Sequence, residues 1–257
     1  MRFAVLGSGS RGNSIYIETN ECAILVDGGF SGREIAQRLR LIDRDTDRLA
    51  ALFVTHEHQD HIAGIGVLSR RCRLPVFANA PTFRGAGTTL TKLAQRNEFQ
   101  TGDTIICRDL RIRSFSISHD AGDPVGFIVE DGTHRLGICT DTGIASRLIE
   151  RRLSGCHALV LEFNHDQEML QNGPYPLPLK QRVRSNRGHL SNTDAASLLA
   201  ALRHDGLQQV VLAHLSETNN LPEIAFKEAR AVLSSGEMAV LLDIASQWQP
   251  TRLFSLD

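Results

Sequence analysis

No stretch of the chain is apolar for long enough to cross a membrane, and the N-terminus lacks a charged-then-apolar leader pattern. No membrane partner is therefore expected, and the chain reads as cytoplasmic. Paired cysteines are missing as well. Cys22, Cys72, Cys107, Cys139 and Cys156 are scattered, odd in number and form no C-x-x-C, so reduced, mostly buried thiols are expected rather than a disulfide framework. Nor is there an excess of either charge. Lys and Arg total 28, Asp and Glu 29, for a net charge of −1, which leaves any polyanion site to a local basic patch. No low-complexity linker and no internal repeat divides the 257 residues, of which 42% are hydrophobic. That supply suffices for one large core or two small ones, and the unbroken patterning favours one domain over 1–257.

What the chain does have is Thr55-His56-Glu57-His58-Gln59-Asp60-His61. It follows the apolar run Leu49 to Val54, which reads as a buried strand, so a strand delivers imidazoles and carboxylates onto the turn at its end. These groups are ligands for zinc, manganese or iron, and with no thiolate in the set the sequence does not choose among them. His56 and His58, at i and i+2, can turn toward one ion, whereas Asp60 and His61 point elsewhere. The spacing predicts a hydrolytic site for two divalent transition-metal ions.

The rest of the chain alternates strands and helices. Strands are predicted at Phe3 to Leu6, Asn13 to Glu18, Ala23 to Val26, Pro75 to Ala78, Thr104 to Cys107 and Arg111 to Ile117. Further strands are Val125 to Glu130 paired with Arg135 to Thr140, His157 to Phe163, Gln209 to Ala213, Ala239 to Leu242, and Leu253 to Phe254. Helices are predicted from a Ser31 cap to Leu39, and at Ile62 to Leu68, Thr88 to Gln95, Ala145 to Leu153, Thr193 to Leu202 (capped by Ser191 or Asn192) and Pro222 to Leu233. Gly7-Ser8-Gly9-Ser10-Arg11-Gly12 matches G-x-G-x-x-G, but a strand rather than a helix follows it, which argues for a hairpin loop over a dinucleotide site. Strands end on His56, His119, Asp141 and His214, which places candidate ligands on one rim. His134, His157 and His204 have no such placement and read as structural or exposed.

The H-x-H-x-D-H stretch resembles the signature of the metallo-β-lactamase-fold hydrolases. That resemblance implies an α/β fold, the four-layer αββα sandwich; pattern alone supports mixed α and β around several core strands. It also implies that His56, His58 and His119 bind one metal, that Asp60, His61 and His214 bind the second, and that Asp141 bridges them. Asp27, at a strand end beside two glycines, would support the metal loop by hydrogen bonding. Gly188-His189-Leu190-Ser191 is similar to the G-H-x-S stretch of the family's phosphodiesterases, in which a histidine protonates the leaving oxygen and an acid after a strand orients it. Glu162 occupies that acid's place. The implied catalytic set is Asp60, His189 and Glu162. Phosphate contacts are expected from Ser191, His165 and the basic run Lys180, Arg182, Arg184 and Arg187; if that run is helical, Lys180, Arg184 and Arg187 share a face.

Further stretches narrow the likeness: Gly7 to Ser14, Phe115 to His119, Asp123 to Phe127, Asn172 to Pro176 and Gly188 to Asn192 resemble the WalJ (YycJ) type within this family. The resemblance runs nearly end to end and implies a nuclease, with 5′→3′ exonuclease action on DNA favoured over RNA. Small cyclic or di-nucleotides remain open as substrates. A glyoxalase-type thioesterase would use the same ligands without needing His189, and a non-catalytic regulatory protein would keep the fold and tolerate loss of metal. The sequence does not speak to oligomeric state.

Overall fold

The structure, a computed structural model, describes residues 1–234 and 240–256. Its N-terminal strands are β1 (Arg2–Gly7), β2 (Ser14–Glu18), β3 (Ala23–Val26), β4 (Leu49–Phe53), β5 (Pro75–Asn79) and β6 (Gln95–Phe99). The second set is β7 (Thr104–Cys107), β8 (Leu110–Ser116), β9 (Val125–Glu130), β10 (Arg135–Cys139), β11 (Ala158–Glu162), β12 (Gln209–Ala213) and β13 (Leu241–Ile244), followed by β14 (Phe254–Ser255). They form two seven-stranded sheets, ordered β14-β1-β2-β3-β4-β5-β6 and β13-β12-β11-β10-β9-β8-β7.

The helices are α1 (Gly32–Arg40), α2 (Gln59–Ile62), α3 (Ile65–Cys72), α4 (Ala80–Gly85), α5 (Arg147–Leu153), α6 (Gln167–Asn172), α7 (Leu177–Val183), α8 (Asn192–Leu202) and α9 (Pro222–Leu233). Strand parity explains the layers. Phe3, Val5, Ile24, Val26, Phe53, Phe127, Val160 and Val211 fill the space between the sheets. The alternate residues Ala4, Leu6 and Leu25 pack under α1 and α3, while Leu159, Leu161 and Leu212 pack under α5, α8 and α9. Central strands buried on both faces read as nearly continuous apolar runs, as these do. The result is the αββα sandwich.

Strand direction positions the site. β3 runs parallel to β4, and β10, β11 and β12 run parallel to one another. β8 is antiparallel to β9, and β9 to β10, so β8 shares the direction of β10. The C-terminal ends of β3 and β4 in one sheet, and of β8, β10, β11 and β12 in the other, carry every expected metal ligand. Register keeps three of them level: Cys139 pairs with Leu161, Leu161 with Leu212, and Glu162 with Ala213.

Three local expectations are corrected. Instead of a helix over Thr88 to Gln95 there is a 3-10 turn at Gly87–Leu90 and then β6. β6 is a polar edge strand of which only Phe99 is buried, so it carries no apolar alternation to read. The helix expected over Ile62 to Leu68 is split into α2 and α3 around Ala63 and Gly64. Gly64 N donates to Gly28 O at 2.7 Å, and a Cβ on Gly64 would stand 2.1 Å from Phe30 O. Finally, α7 stops at Val183, so Lys180, Arg184 and Arg187 share no helical face. Ser191, not Asn192, caps α8, accepting from Asp194 N. The expected strand start at Ala239 lies outside the described residues.

Candidate metal centre

The metal loop is held from behind by a glycine turn. Asp27 follows β3 with a left-handed backbone, φ 62°, and its carboxylate accepts from Thr55 N and Thr55 Oγ1, both at 2.8 Å. Gly28 N donates to His61 O at 2.7 Å. Gly29 lies so close to the loop that a Cβ there would stand 1.7 Å from Asp60 O, so no other residue fits. From the other side, Asn13 N donates to Asp60 O at 2.7 Å and the Asn13 amide donates to Asp60 Oδ2 at 3.2 Å. Two more strand-end residues share the left-handed conformation, Asp141 at φ 58° and His214 at φ 55°. Such backbones are uncommon outside glycine and gather at functional sites.

Four of the five histidines here, all but His58, have one nitrogen committed. His61 Nδ1 lies 2.8 Å from Asp27 Oδ2, an acceptor only, which leaves Nε2 for a metal. Thr55 donates its hydroxyl to Asp27, so it accepts from His56 Nδ1 at 3.0 Å. His119 Nδ1 donates to Gly188 O at 3.1 Å, and His214 Nδ1 lies 3.2 Å from Glu162 Oε1. The committed nitrogens fix ring orientation and turn the opposite nitrogens inward, as supporting partners do at metal sites.

The free atoms converge. His56 Nε2 and His58 Nδ1 are 3.1 Å apart, close to the roughly 3.3 Å edge of a tetrahedron with metal–nitrogen bonds of about 2.0–2.1 Å. His56, His58 and His119 form one group able to hold an ion, and Asp60, His61 and His214 form another. Asp141 lies between them: its Oδ2 is 3.4 Å from His61 Nε2, while its Oδ1 is 3.3 Å from His214 Nε2 and 3.9 Å from His119 Nε2. Asp141 Oδ2 and His214 Nε2 are buried without a hydrogen-bond partner. Two orphaned polar atoms among convergent donors fit divalent cations. Glu57 is absent from these groups; its carboxylate turns away and accepts from Gly122 N at 2.7 Å.

Electrostatics favour positive charge here. Burial would lower the pKa of His61, yet Asp141, Asp27 and Asp60 outweigh it and raise it well above the ordinary imidazole value. In His214 burial is likewise overcome, by Asp141, Asp60 and Glu162, and the pKa rises to about 10. Asp141 is itself held well below the carboxylate range: burial would raise it, but His214 and His61 dominate. His56 and His119 shift down, chiefly through burial. Carboxylates that retain protons on His61 and His214 would equally favour a cation that replaces those protons.

Glu162 joins the metal groups to the rest of the cleft. It is fully buried, and Oε2 accepts from Thr142 N at 3.0 Å and Leu190 N at 3.1 Å. Oε1 faces both His214 Nδ1 and His189 Nδ1, the latter at 2.8 Å. Burial raises its pKa, but His189 and the hydrogen bonds from His189 and His214 bring it down to about 2. His189 lines a cleft of about 230 Å³ together with Asp60, His119, Asp141 and His214.

The expected phosphate contacts divide. Ser191 is buried, its Oγ capping α8 and donating to Asp194 Oδ2 at 2.6 Å. His165 is also buried, kept neutral by that burial with a pKa near 4; neither lines the cleft. Lys180 Nζ donates to Gln171 O at 2.8 Å, Arg187 Nε to His119 O at 3.3 Å, and Arg184 is exposed at the end of α7. Arg182 is the cation of the run that reaches the cleft, where its Nε meets Asp120 Oδ2 at 2.6 Å.

Asn13, Thr55, Asp120 and Asn164 were not singled out by the sequence. Asn164 Nδ2 donates to His214 O at 2.8 Å and lines the cleft. Its signal was parity, since Glu162 and Asn164 are two residues apart and His165 is not. Thr55 and Asn13 adjoin the two most distinctive motifs, but their roles depend on contacts across the fold.

Residues 23–215 match the family described as the beta-lactamase superfamily domain. A Bacillus anthracis protein named exodeoxyribonuclease YycJ is 38% identical over 235 residues, covering 91% of this chain and 89% of that protein. The Streptococcus pneumoniae protein named exodeoxyribonuclease WalJ is 36% identical over 246 residues, covering 94% and 91%. Among solved structures, the metallo-beta-lactamase fold protein YhfI from Bacillus subtilis superposes with a TM-score of 0.75 at 18% identity, covering 97% of this chain and 98% of its own. At that identity the likeness shows the fold alone.

Proposed function

The chain belongs to the beta-lactamase superfamily, and from that premise we propose that residues 1–257 act as one metal-dependent phosphodiesterase on nucleic acid, cleaving DNA 5′→3′ as an exonuclease. The observation that carries this reading is Glu162, whose one oxygen faces both His214 and His189. With Nδ1 held by a buried carboxylate, His189 keeps Nε2 as the nitrogen able to deliver a proton beside the metal ligands. A sugar alkoxide is a poor leaving group and needs such a donor, whereas a thiolate does not. The two exodeoxyribonucleases at 38% and 36% identity support nucleic acid as the substrate.

His56, His58 and His119 would hold one ion, Asp60, His61 and His214 the other, with Asp141 shared. Zinc and manganese suit this donor set, and iron is compatible with it. Bound there, the ions would lower the pKa of water toward neutral and offset charge at the phosphoryl group. Asn13 fixes Asp60, Glu162 fixes the His189 and His214 rings, and Arg182 offers a guanidinium to a backbone phosphate once it leaves Asp120.

Metal-loaded protein should be tested on 5′- and 3′-labelled, single- and double-stranded DNA and RNA. Stepwise shortening of DNA from the 5′ end is expected. Efficient thioester hydrolysis with intact nucleic acids would overturn the reading. Elemental analysis is expected to find about two equivalents of transition metal per chain, and a reproducible single equivalent at full activity would overturn the two-metal assignment.

A further inference from the structure

The glycine-rich loop after β1 does more than brace Asp60. Its outer side is tied to residues 246–248: Ser8 N donates to Ser246 O at 3.1 Å, Arg11 N to Gln247 Oε1 at 2.8 Å, and Gln247 Nε2 to Gly12 O at 3.0 Å. Gly9 has φ 144°, and a Cβ there would stand 2.6 Å from Gln247 Oε1, so the seam needs glycine. Arg38 pins the same segment by donating to Gln247 O at 3.0 Å. The next residue is Trp248, the single tryptophan of the chain, 63% exposed on this fixed backbone. The Arg11 guanidinium lies 4.9 Å from the centre of its ring. Ser10 and Ser216, the neighbours of Arg11 and of its ion-pair partner Glu217, both line the metal cleft. The glycine loop thus runs from the cleft at Ser10 to Arg11, whose guanidinium lies over the indole.

We propose that Trp248 and Arg11 form a stacking subsite for a single-stranded segment of nucleic acid whose end occupies the cleft; this rests on the nuclease reading above. An aromatic face beside a cationic track is how single strands are held without regard to sequence, the base stacking on the ring and the arginine meeting phosphate or the base plane. The Arg11–Glu217 pair does not block this. It is 64% and 38% exposed, and exposed pairs are weak enough for a phosphate to replace the carboxylate. A second copy of the chain is the other occupant such a ring could take, since Leu41 borders the same depression. The chain path from the cleft through Arg11, and the cations Arg11 and Arg33 around the ring, favour the strand.

Because Trp248 is the only tryptophan, emission excited selectively in the indole band, where the two tyrosines do not absorb, reports on this ring alone. Metal-loaded protein is titrated with a cleavage-resistant phosphorothioate single-stranded oligodeoxyadenylate of about twelve nucleotides, within the range of single-strand sites, and with a dinucleotide. The long strand is expected to quench emission and the dinucleotide to leave it unchanged. Trp248→Ala is expected to raise KM for a long single strand roughly 5- to 150-fold, the span of one lost stacking contact, with kcat kept. Trp248→Phe should retain most of the affinity, and both variants should hydrolyse bis-(p-nitrophenyl) phosphate at the parent rate, which establishes folding and metal loading. A cleaved long strand with unchanged emission and unchanged KM would overturn the subsite and leave the nuclease reading standing. Hydrolysis of the nitrophenyl diester with no cleavage of any nucleic acid would overturn both. Conversion of a dimer to a monomer by Trp248→Ala, seen by sedimentation, would assign the ring to a second copy and overturn the subsite.

Discussion

At the N-terminal ends of β10, β11 and β12 stand His134, His157 and His204, with Asp131 beside them; at the C-terminal ends stand Asp141, Glu162, His189 and His214. The residue types are alike, and the rings at the first end also approach one another, His134 and His157 at 5.7 Å. Yet among the described residues all groups able to hold a metal lie at the second end. His204 has both nitrogens taken by backbone, Nε2 donating to Cys156 O at 2.9 Å and Nδ1 accepting from Gly206 N at 3.0 Å. His157 Nδ1 accepts from Arg135 N at 3.0 Å. Asp131 is saturated by the terminal ammonium and two backbone N–H groups. His134 keeps Nε2 free, but no group of three ligand atoms assembles around it. The candidate ligand histidines other than His58 are therefore distinguished by having one nitrogen fastened from behind and the other aimed at further donors, rather than by the kind of residues near them.

The sharpest break of this comparison is Asp141→Ala. It should reduce metal content and activity together, beyond the ~10–100-fold loss of affinity typical of a supporting partner, while His204→Ala leaves both unchanged. Metal analysis and assays on one preparation check this; retained metal in Asp141→Ala would remove it from the bridging position. Next is His189→Ala with metal retained. Activity on DNA should fall by ~10²–10⁴-fold and on bis-(p-nitrophenyl) phosphate by much less, since nitrophenolate leaves unaided. Equal losses on both would make His189 a phosphate or metal contact.

Glu162→Gln should lie between the two kinds of effect. A carboxylate that serves both His189 and His214 should lose part of the proton-donor advantage and also weaken metal affinity by ~10–100-fold. Titration with a competing chelator separates the components, and unchanged metal affinity would confine Glu162 to His189. The smallest effect belongs to the opposite end. Burial, then the nearby His134 and His204, lower the pKa of His157 below 6.5. The unfolded chain then binds the proton more readily, so stability contributed above pH ~6.5 is lost as the pH falls below it. His157→Gln should flatten that fall in denaturation curves of chelated protein at pH 7.5 and 5.5.

The sandwich and the cluster of candidate ligands were legible because their signals are local. Strands buried on both faces read as apolar runs, and ligands standing at strand ends announce the rim. The Asp27 turn could be read from its two glycines. β6 was not legible, because a polar edge strand carries no alternation, and the basic run was legible only as charge, which reveals nothing of direction. Lys180 turns to a carbonyl while Arg182 reaches the cleft. Nor could sequence show that one Glu162 oxygen serves two histidines from separate segments, since that depends on the register of β11 against β12.

The left-handed backbones of Asp27, Asp141 and His214 bear on how this fold can drift. A residue with a Cβ is strained there by ~1–3 kcal/mol, and glycine is not. At Asp141 glycine would free the turn, but it would also remove the carboxylate that raises the pKa of His61 and His214, so Asp141→Gly sets backbone relief against lost charge pairing. A side chain at these turns is thus carried at a backbone cost that glycine would not incur, and the rim cannot be relaxed without giving up a candidate ligand or its supporting partner.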